Sequence, residues 1–280
     1  MSWKDVEYTF NRALRWSFGR KKLIFTTLVL IVCGMIISIC RAIGAAASNW
    51  MGISLTFLPI FFCSAVLLTL GILLTRIYHH EVKGLPVSFR KTFLASKELM
   101  LEVGYLFVPL ILAYLVLWTL LGIFYLFKEI PFIGDALGVM LSFGPFLIIL
   151  SSLVMCLISV AALFYVTPAM ALKSMMGLET IQGAIKRIQF NPFSSAVMLL
   201  VALVPILTIC ALMIIAALLT GKRYFEAERA LAVGFQWFFI MLPFCALLAP
   251  GVIFFFSFAA ECHVLTQRQM RDHKSPETAA

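Results

Sequence analysis

The sequence predicts an all-α polytopic membrane protein with six transmembrane helices. Hydrophobic residues make up 62% of its 280 residues, and the mean hydropathy is +1.03. Charged residues make up only 12%, which is too few to cover a soluble domain of this size or to keep a disordered chain in solution. The apolar residues form unbroken runs of about 20 residues or more, unlike the alternating strands of a membrane β-barrel.

Six such runs lie between charged segments. Each is predicted to cross the bilayer as a helix, because a backbone in hydrocarbon must satisfy its hydrogen bonds within the segment. The runs cover residues 23–40, 52–75, 101–127, 136–172, 193–220 and 231–260. The fourth is longer than one crossing requires, so its first part, 136–144, is predicted to be a separate re-entrant or outer-side segment that ends at the break Gly144-Pro145. Residues 1–260 therefore form one predicted membrane domain, and 261–280 a polar cytoplasmic tail.

The distribution of basic residues predicts the orientation. Segments 1–22, 76–100, 173–192 and 261–280 carry 17 of the 22 Lys and Arg residues, and the segments on the opposite side carry five. By the positive-inside rule, both termini are predicted to lie in the cytoplasm and the protein in a bacterial inner membrane. The net charge of +9 is then a property of the cytoplasmic membrane face. Anionic lipids are its expected partners, and nucleic acid is not expected to bind.

The three larger cytoplasmic segments each place apolar residues at helical spacing beside basic ones, which predicts short interfacial helices. In residues 3–16 the apolar face is formed by Trp3, Val6, Phe10, Ala13 and Leu14. In the second and third segments, the basic residues predicted to lie at the headgroups are Arg90, Lys91, Lys186 and Arg187. Because such a helix precedes each pair of spans, the chain divides into three candidate units, 1–75, 76–172 and 173–260.

Residues 165–187 read YVTPAMALKSMMGLETIQGAIKR. An apolar helix is followed there by Pro168, a short polar turn, Gly177 and an amphipathic helix with Ala and Lys/Arg. This pattern resembles that of a broad group of polytopic bacterial membrane proteins of unknown function. It is also similar to the membrane domain fused to some glycerophosphodiester phosphodiesterases. The sequence contains no phosphodiesterase catalytic domain, so the resemblance implies the architecture and not that activity.

Proline and glycine are the remaining signal inside the spans. No Asp, Glu, Lys, Arg or His lies in the middle of any of the six runs, which argues against a proton-coupled transporter, a pump or a voltage sensor. A proline, however, removes a backbone hydrogen bond and can expose a carbonyl to a cavity. The candidates for helix breaks or for the lining of a pathway are Pro145, Pro205, Pro243 and Pro250. A kink without a pathway accounts for the same prolines.

Two groups of metal-ligand residue types lie at the inner ends of spans, His79-His80-Glu81 and Glu261-Cys262-His263. If those ends meet, imidazole, thiolate and carboxylate groups could bind zinc. Neither group has the standard ligand spacing, and adjacent residues of a helix point in different directions. We therefore interpret both as polar interfacial residues and predict no metal and no other cofactor.

The sequence lacks the motifs G-x-S-x-G, H-E-x-x-H, G-x-x-x-x-G-K-[ST] and C-x-x-C, each of which would indicate an enzyme or a nucleotide site. We predict a non-enzymatic scaffold or accessory membrane component, with another membrane protein as a candidate partner. The alternative is a permease or lipid-handling protein for an uncharged or lipid-like substrate, which the prolines and the candidate repeats favour.

Overall fold

The computed structural model describes residues 3–45, 49–85, 91–96, 105–128, 143–173, 192–220 and 230–274. This part of the chain is helical apart from short turns. Its long helices are α1 (Trp3–Trp16), α2 (Arg20–Ala45), α3 (Asn49–Val82), α4 (Val108–Lys128), α5 (Gly144–Lys173), α6 (Pro192–Thr220) and α7 (Ala230–Lys274). Residues 91–96 form a further short helical segment, and the 3-10 turn Tyr105–Phe107 leads into α4.

Within these described residues six helices, α2 to α7, are long and apolar enough to cross a membrane. The predicted all-α polytopic architecture is thus confirmed. Helix α5 begins at Gly144, the site of the predicted break, and residues 136–142 of the predicted separate segment lie outside the described residues. Helix α7 does not end with its apolar run. It continues through much of the predicted polar tail to Lys274, because no glycine or proline interrupts residues 261–274.

Helices α3 and α7 form the centre of the bundle. Helix α7 packs against α1, α2, α3, α5 and α6, and α3 packs against α2, α4, α5 and α7. Among the fully buried side chains between them are Leu68, Ile72, Phe254 and Phe258. The ring of Phe256, also fully buried, lies directly against Gly71 and occupies the space that a Cβ at residue 71 would need. Large apolar side chains therefore fill the centre of the bundle.

Helices α2 and α7 run antiparallel and pack closely along a row of small residues. The row on α2 consists of Gly34, Ser38 and Ala42, which lie four residues apart and so share one helical face. A Cβ on Gly34 would lie 3.3 Å from the Cβ of Met241, and a Cβ on Gly234 would lie 3.1 Å from the Cβ of Ala42. Such rows let helices approach closely in lipid, where packing rather than the hydrophobic effect holds them together.

Helix α6 packs on α7 through its first half. A Cβ on Gly251 of α7 would lie 3.2 Å from Ile206 of α6, so the two helices are in close contact at this level. Beyond Thr208 the side chains of α6 are exposed nearly all round the helix, and Leu219 is 83% exposed. The second half of α6, towards the end of the bundle opposite α1, is therefore little covered by the other described helices.

The amphipathic character predicted for residues 3–16 is present in α1, but the helix packs on the bundle as well. Thr9 and Ala13 are buried. The ring of Phe10 meets those of Phe254 and Phe258 edge-on, with centroid distances of 4.9 and 6.2 Å. The middle of the predicted apolar face is thus directed at α7, because the ring of Phe10 fits against the rings of that helix. An interfacial position of α1 stays a prediction.

We expect Phe10→Ala to release α1 from the bundle. The substitution removes two aromatic contacts, at a cost of about 2 kcal/mol for a half-buried phenylalanine. Hydrogen exchange of residues 3–16 should become faster, while exchange in α3 and α7 stays slow. Glu7→Ala, at an exposed position of the same helix, is the control and should leave the exchange unchanged. Equal protection of α1 in both variants would contradict this docking.

The second predicted interfacial helix is described only over residues 91–96. Its buried side chains are Thr92 and Ser96, whereas Phe93 and Leu94 are exposed. The side that packs on the bundle is therefore small and polar, and the apolar side faces outwards. Lys91 is exposed in this segment. The other basic residues predicted to lie at the headgroups are outside the described residues: Arg90, Lys186 and Arg187.

Candidate polar site at the basic end of the bundle

The basic end of the bundle is the end at which α1, the last turns of α3 and α5, residues 91–96 and the polar part of α7 meet. Glu261 of α7 is the residue that joins three of these elements. The hydroxyl of Tyr78 donates a hydrogen bond of 2.6 Å to its Oε1, and the Nε of Arg12 lies 3.5 Å from the same atom. Since the carboxylate is only 12% exposed, these two donors replace much of its lost hydration.

A second ion pair joins the start of α2 to the end of α3. Lys22, the third residue of α2, is buried, and its Nζ lies 2.7 Å from Oε2 of Glu81 at the end of α3. The same ammonium group also donates to the backbone carbonyl of Trp16 at the end of α1. Because Trp16 is in the last turn of α1, its carbonyl has no intrahelical partner and carries the negative end of the helix dipole. Lys22 therefore fixes the connection between α1 and α2 to α3.

Arg76 of α3 ties two other segments to its own helix. Its Nε donates to the carbonyl of Ala171 at 3.2 Å, and its Nη1 donates to the hydroxyl of Ser96 at 2.7 Å. A longer bond of 3.4 Å reaches the carbonyl of Ala95. The guanidinium thus holds the segment 91–96 and the end of α5 against α3. These bonds serve free carbonyls near helix ends, so the role supported by the geometry is structural.

A polar cavity of about 360 Å³ opens between α1, α3 and α7 at this end. Its wall contains the Tyr78–Glu261–Arg12 contacts and five further titratable side chains, Asp5, Tyr8, His79, Lys83 and Arg268. The remaining wall is mostly aliphatic: Val82, Leu172, Ala260, Val264 and Leu265. A cavity with charged groups on an aliphatic wall can hold a molecule that is itself partly polar and partly apolar.

The predicted metal-ligand groups are brought close together by the Tyr78–Glu261 bond, but their side chains do not converge. His263 lies 3.1 Å from Nε2 of Gln267, one turn further along α7, and Glu261 is bound by Tyr78 and Arg12. Across the described ranges, no three His, Cys, Asp or Glu side chains are placed to hold a metal ion. Consecutive helical residues point about 100° apart, so three adjacent side chains do not meet at one point.

The candidate pathway prolines lie away from this cavity. Pro145 is in the first turn of α5, and the other three lie inside helices that continue on both sides of each proline: Pro205, Pro243 and Pro250. Two more cavities were found, an apolar groove of about 420 Å³ between α2 and the first turns of α7, and a small space of about 10 Å³ between α3, α4 and α5. None of the four prolines lines any of the three. A role of these prolines in a pathway stays a prediction.

Three residues of the basic end were not singled out by the sequence patterns. Arg12 counted only as part of the polar face of α1, Lys22 only as a positive charge, and Tyr78 not at all. A signal for Lys22 exists, because it lies at four-residue spacing with Thr26 and Leu30 on the buried face of α2. The signal for Tyr78 is weaker. It is a tyrosine near the end of a span, where tyrosines are common in membrane proteins.

Comparison of the chain with models of protein families, with curated proteins and with solved structures found no match. The resemblance to the membrane domains fused to some glycerophosphodiester phosphodiesterases stays a prediction. Of the stretch that carries it, residues 165–173 form the end of α5, and 174–187 lie outside the described residues. Within that end, the hydroxyl of Tyr165 donates a hydrogen bond of 2.7 Å to the carbonyl of Ser195 in α6.

Proposed function

We propose that this chain is a non-enzymatic scaffold or accessory component of a membrane complex, inserted in a bacterial inner membrane with its basic end in the cytoplasm. The observation that carries the proposal is that the centre of the helix bundle is closely packed between its two larger cavities. The polar cavity lies at the basic end, and the apolar groove lies towards the opposite end, lined among others by Ser38 and Gly234. The layer of Leu68, Ile72 and Phe256 lies between these levels and is at most 1% exposed. A closely packed centre is suited to holding helices in place.

The periphery of the bundle supplies the surface that such a component needs. In the apolar windows of α4, α5 and α6, only 17% of the residues are buried within the chain. The second half of α6 is the extreme case, with Leu212 and Leu218 among its exposed side chains. Transmembrane helices associate through such lateral faces when van der Waals packing against another helix replaces lipid. We therefore propose that the partner protein binds to the second half of α6.

Photo-crosslinking in the native membrane tests this proposal. A photoreactive amino acid at Leu212 or Leu218 should give a covalent adduct of one discrete protein mass. The matched control is Leu28 of α2, which is 58% exposed and equally apolar but belongs to a helix packed along its whole length. We expect lipid adducts alone from residue 28. If residues 212 and 218 also give lipid adducts alone, the scaffold proposal fails.

A second candidate function is lipid handling, which the exposed second half of α6 favours. Ile206 of α6 contacts Gly251 of α7 shortly before this exposed half begins, and Pro205 and Pro250 lie next to these two residues. A proline at this point weakens the helix ladder and allows it to bend. The exposed side chains beyond it are apolar and could receive a lipid-like substrate. Lipid adducts from Leu212 and Leu218 that exceed those from Leu28 would support this candidate over the scaffold.

A further inference from the structure

The polar cavity holds basic side chains from three separate elements. Arg12 comes from α1, Lys83 from the turn after α3, and Arg268 from the polar part of α7. Its two carboxylates are Asp5 and Glu261, and the latter is already bound by Tyr78 and Arg12. The remaining titratable groups on the wall are His79 and the phenols of Tyr8 and Tyr78. The basic groups exceed the acidic ones even with the imidazole neutral, so the cavity carries a net positive charge.

The basic groups also have donors left for a further acceptor. Arg12 pairs with Glu261 through Nε, which leaves its Nη groups available. Lys83 and Arg268 are exposed on the rim, and within the described part of the chain neither forms an ion pair. Guanidinium and ammonium groups that converge on one space are the usual ligands of a phosphate group.

The position of the cavity indicates that its ligand has an apolar part beside the phosphate group. The apolar runs within α3 and α7 end at residues 75 and 260, next to the segments that line the cavity, so the cavity lies at the level where these helices are expected to leave the hydrocarbon. Leu172, Val264 and Leu265 form its aliphatic wall. A headgroup bound there would have its glycerol and first methylene groups against these side chains.

We propose that this cavity binds the phosphate group of an anionic phosphorylated molecule, either a phospholipid headgroup or a soluble phosphate ester, through Arg12, Lys83 and Arg268. The site is independent of both functions proposed above, because it lies at the opposite end of the bundle from the exposed second half of α6. It rests on the convergence of three basic side chains in one cavity, rather than on the overall charge of the membrane face.

Native mass spectrometry of the full chain in detergent tests the site. The probe is phosphatidylglycerol, titrated against phosphatidylcholine as the uncharged reference. The wild-type chain should bind one phosphatidylglycerol more tightly than the rest. Lys83→Gln/Arg268→Gln should weaken this binding by about tenfold or more, the equivalent of at least one lost charge-assisted hydrogen bond. Lys83→Arg/Arg268→Lys keeps both charges and should retain the binding.

Arg15→Gln/Lys21→Gln is the matched control. It removes the same two charges from exposed positions at the same end of the bundle, outside the cavity wall. If both charge-removing variants weaken binding equally, the attraction is that of a diffuse basic surface and the proposal is wrong. The proposal is equally wrong if phosphatidylglycerol and phosphatidylcholine bind alike and inorganic phosphate does not bind.

Competition between inorganic phosphate and the lipid shows whether the bound phosphate group belongs to a soluble ester or to a lipid headgroup. If an excess of inorganic phosphate displaces the lipid from the wild-type chain, or binds to it alone, while Lys83→Gln/Arg268→Gln shows neither effect, the cavity accepts a soluble phosphate ester. If inorganic phosphate has no effect and the lipid stays bound, the ligand is the lipid headgroup. These readouts on the wild-type chain remain informative if a variant does not fold.

Discussion

Replacing Lys22 with methionine is expected to lower the free energy of unfolding by about 3 kcal/mol, which is typical for the loss of one partner from a buried ion pair. The lysine side chain is 3% exposed and that of Glu81 18%. Methionine fills a similar volume but leaves the carboxylate of Glu81 without its counter-ion and the carbonyl of Trp16 without its donor. The measurement is thermal or denaturant unfolding of both proteins in the same detergent.

Two controls separate the buried pair from a general effect of charge. Lys21→Met removes the neighbouring exposed lysine and should change stability by less than about 0.5 kcal/mol. Lys22→Met/Glu81→Leu removes both charges and should recover much of the loss, because no unpaired carboxylate remains. If Lys22→Met is no less stable than Lys21→Met, the pair does not contribute and the proposed link between α2 and α3 is wrong.

Gly71→Ala is expected to destabilise the protein by about 2 kcal/mol, with the overpacking of a filled core as the cause. The added methyl group would overlap the ring of Phe256, and because this ring is fully buried, its packed neighbours must shift as well. The expected result is a lower unfolding temperature, and a wider separation of α3 from α7 that distance measurements between spin labels on the two helices would detect.

The matched control is Gly44→Ala. A Cβ there would lie 3.8 Å from the nearest atom, the Cα of Gly52, which is ordinary van der Waals contact. This variant should be as stable as the wild type. Gly71→Ala/Phe256→Leu should be more stable than Gly71→Ala alone, because the smaller side chain makes room for the methyl group. An additive loss in the double variant would show that the ring is not the obstacle.

The six spans and the amphipathic α1 could be predicted because they depend on properties local to the sequence. Hydropathy over about 20 residues determines whether a helix can cross a bilayer, and the spacing of Val6, Phe10 and Ala13 determines one face of a helix. The start of α5 at Gly144 was predictable for the same reason, because Pro145 follows it and proline is favoured in the first turn of a helix.

The packing of the helices could not be predicted in this way. In a membrane, lipid-facing and protein-facing side chains are both apolar, so hydropathy does not distinguish the two. Phe256 and Phe239 belong to the same apolar run, yet Phe256 is 1% exposed and Phe239 is 65% exposed. The cavity at the basic end depends on this packing as well. Its charged side chains come from residues 5–12, 79–83 and 261–268, and only the neighbourhood of α1, α3 and α7 brings these together.

The contacts of α1 and α2 with α7 have a consequence for the order in which the protein is made. Phe10 and Phe254 are 244 residues apart in the chain but adjacent in the bundle. At a synthesis rate of about 5–20 residues per second, the ribosome adds α7 roughly 10 to 50 seconds after α1. During this interval the small-residue row of α2 has no α7 to pack against. Lipid or the insertion machinery must therefore cover it. Slower translation would lengthen this vulnerable period and give membrane proteases more time to degrade the unfinished chain.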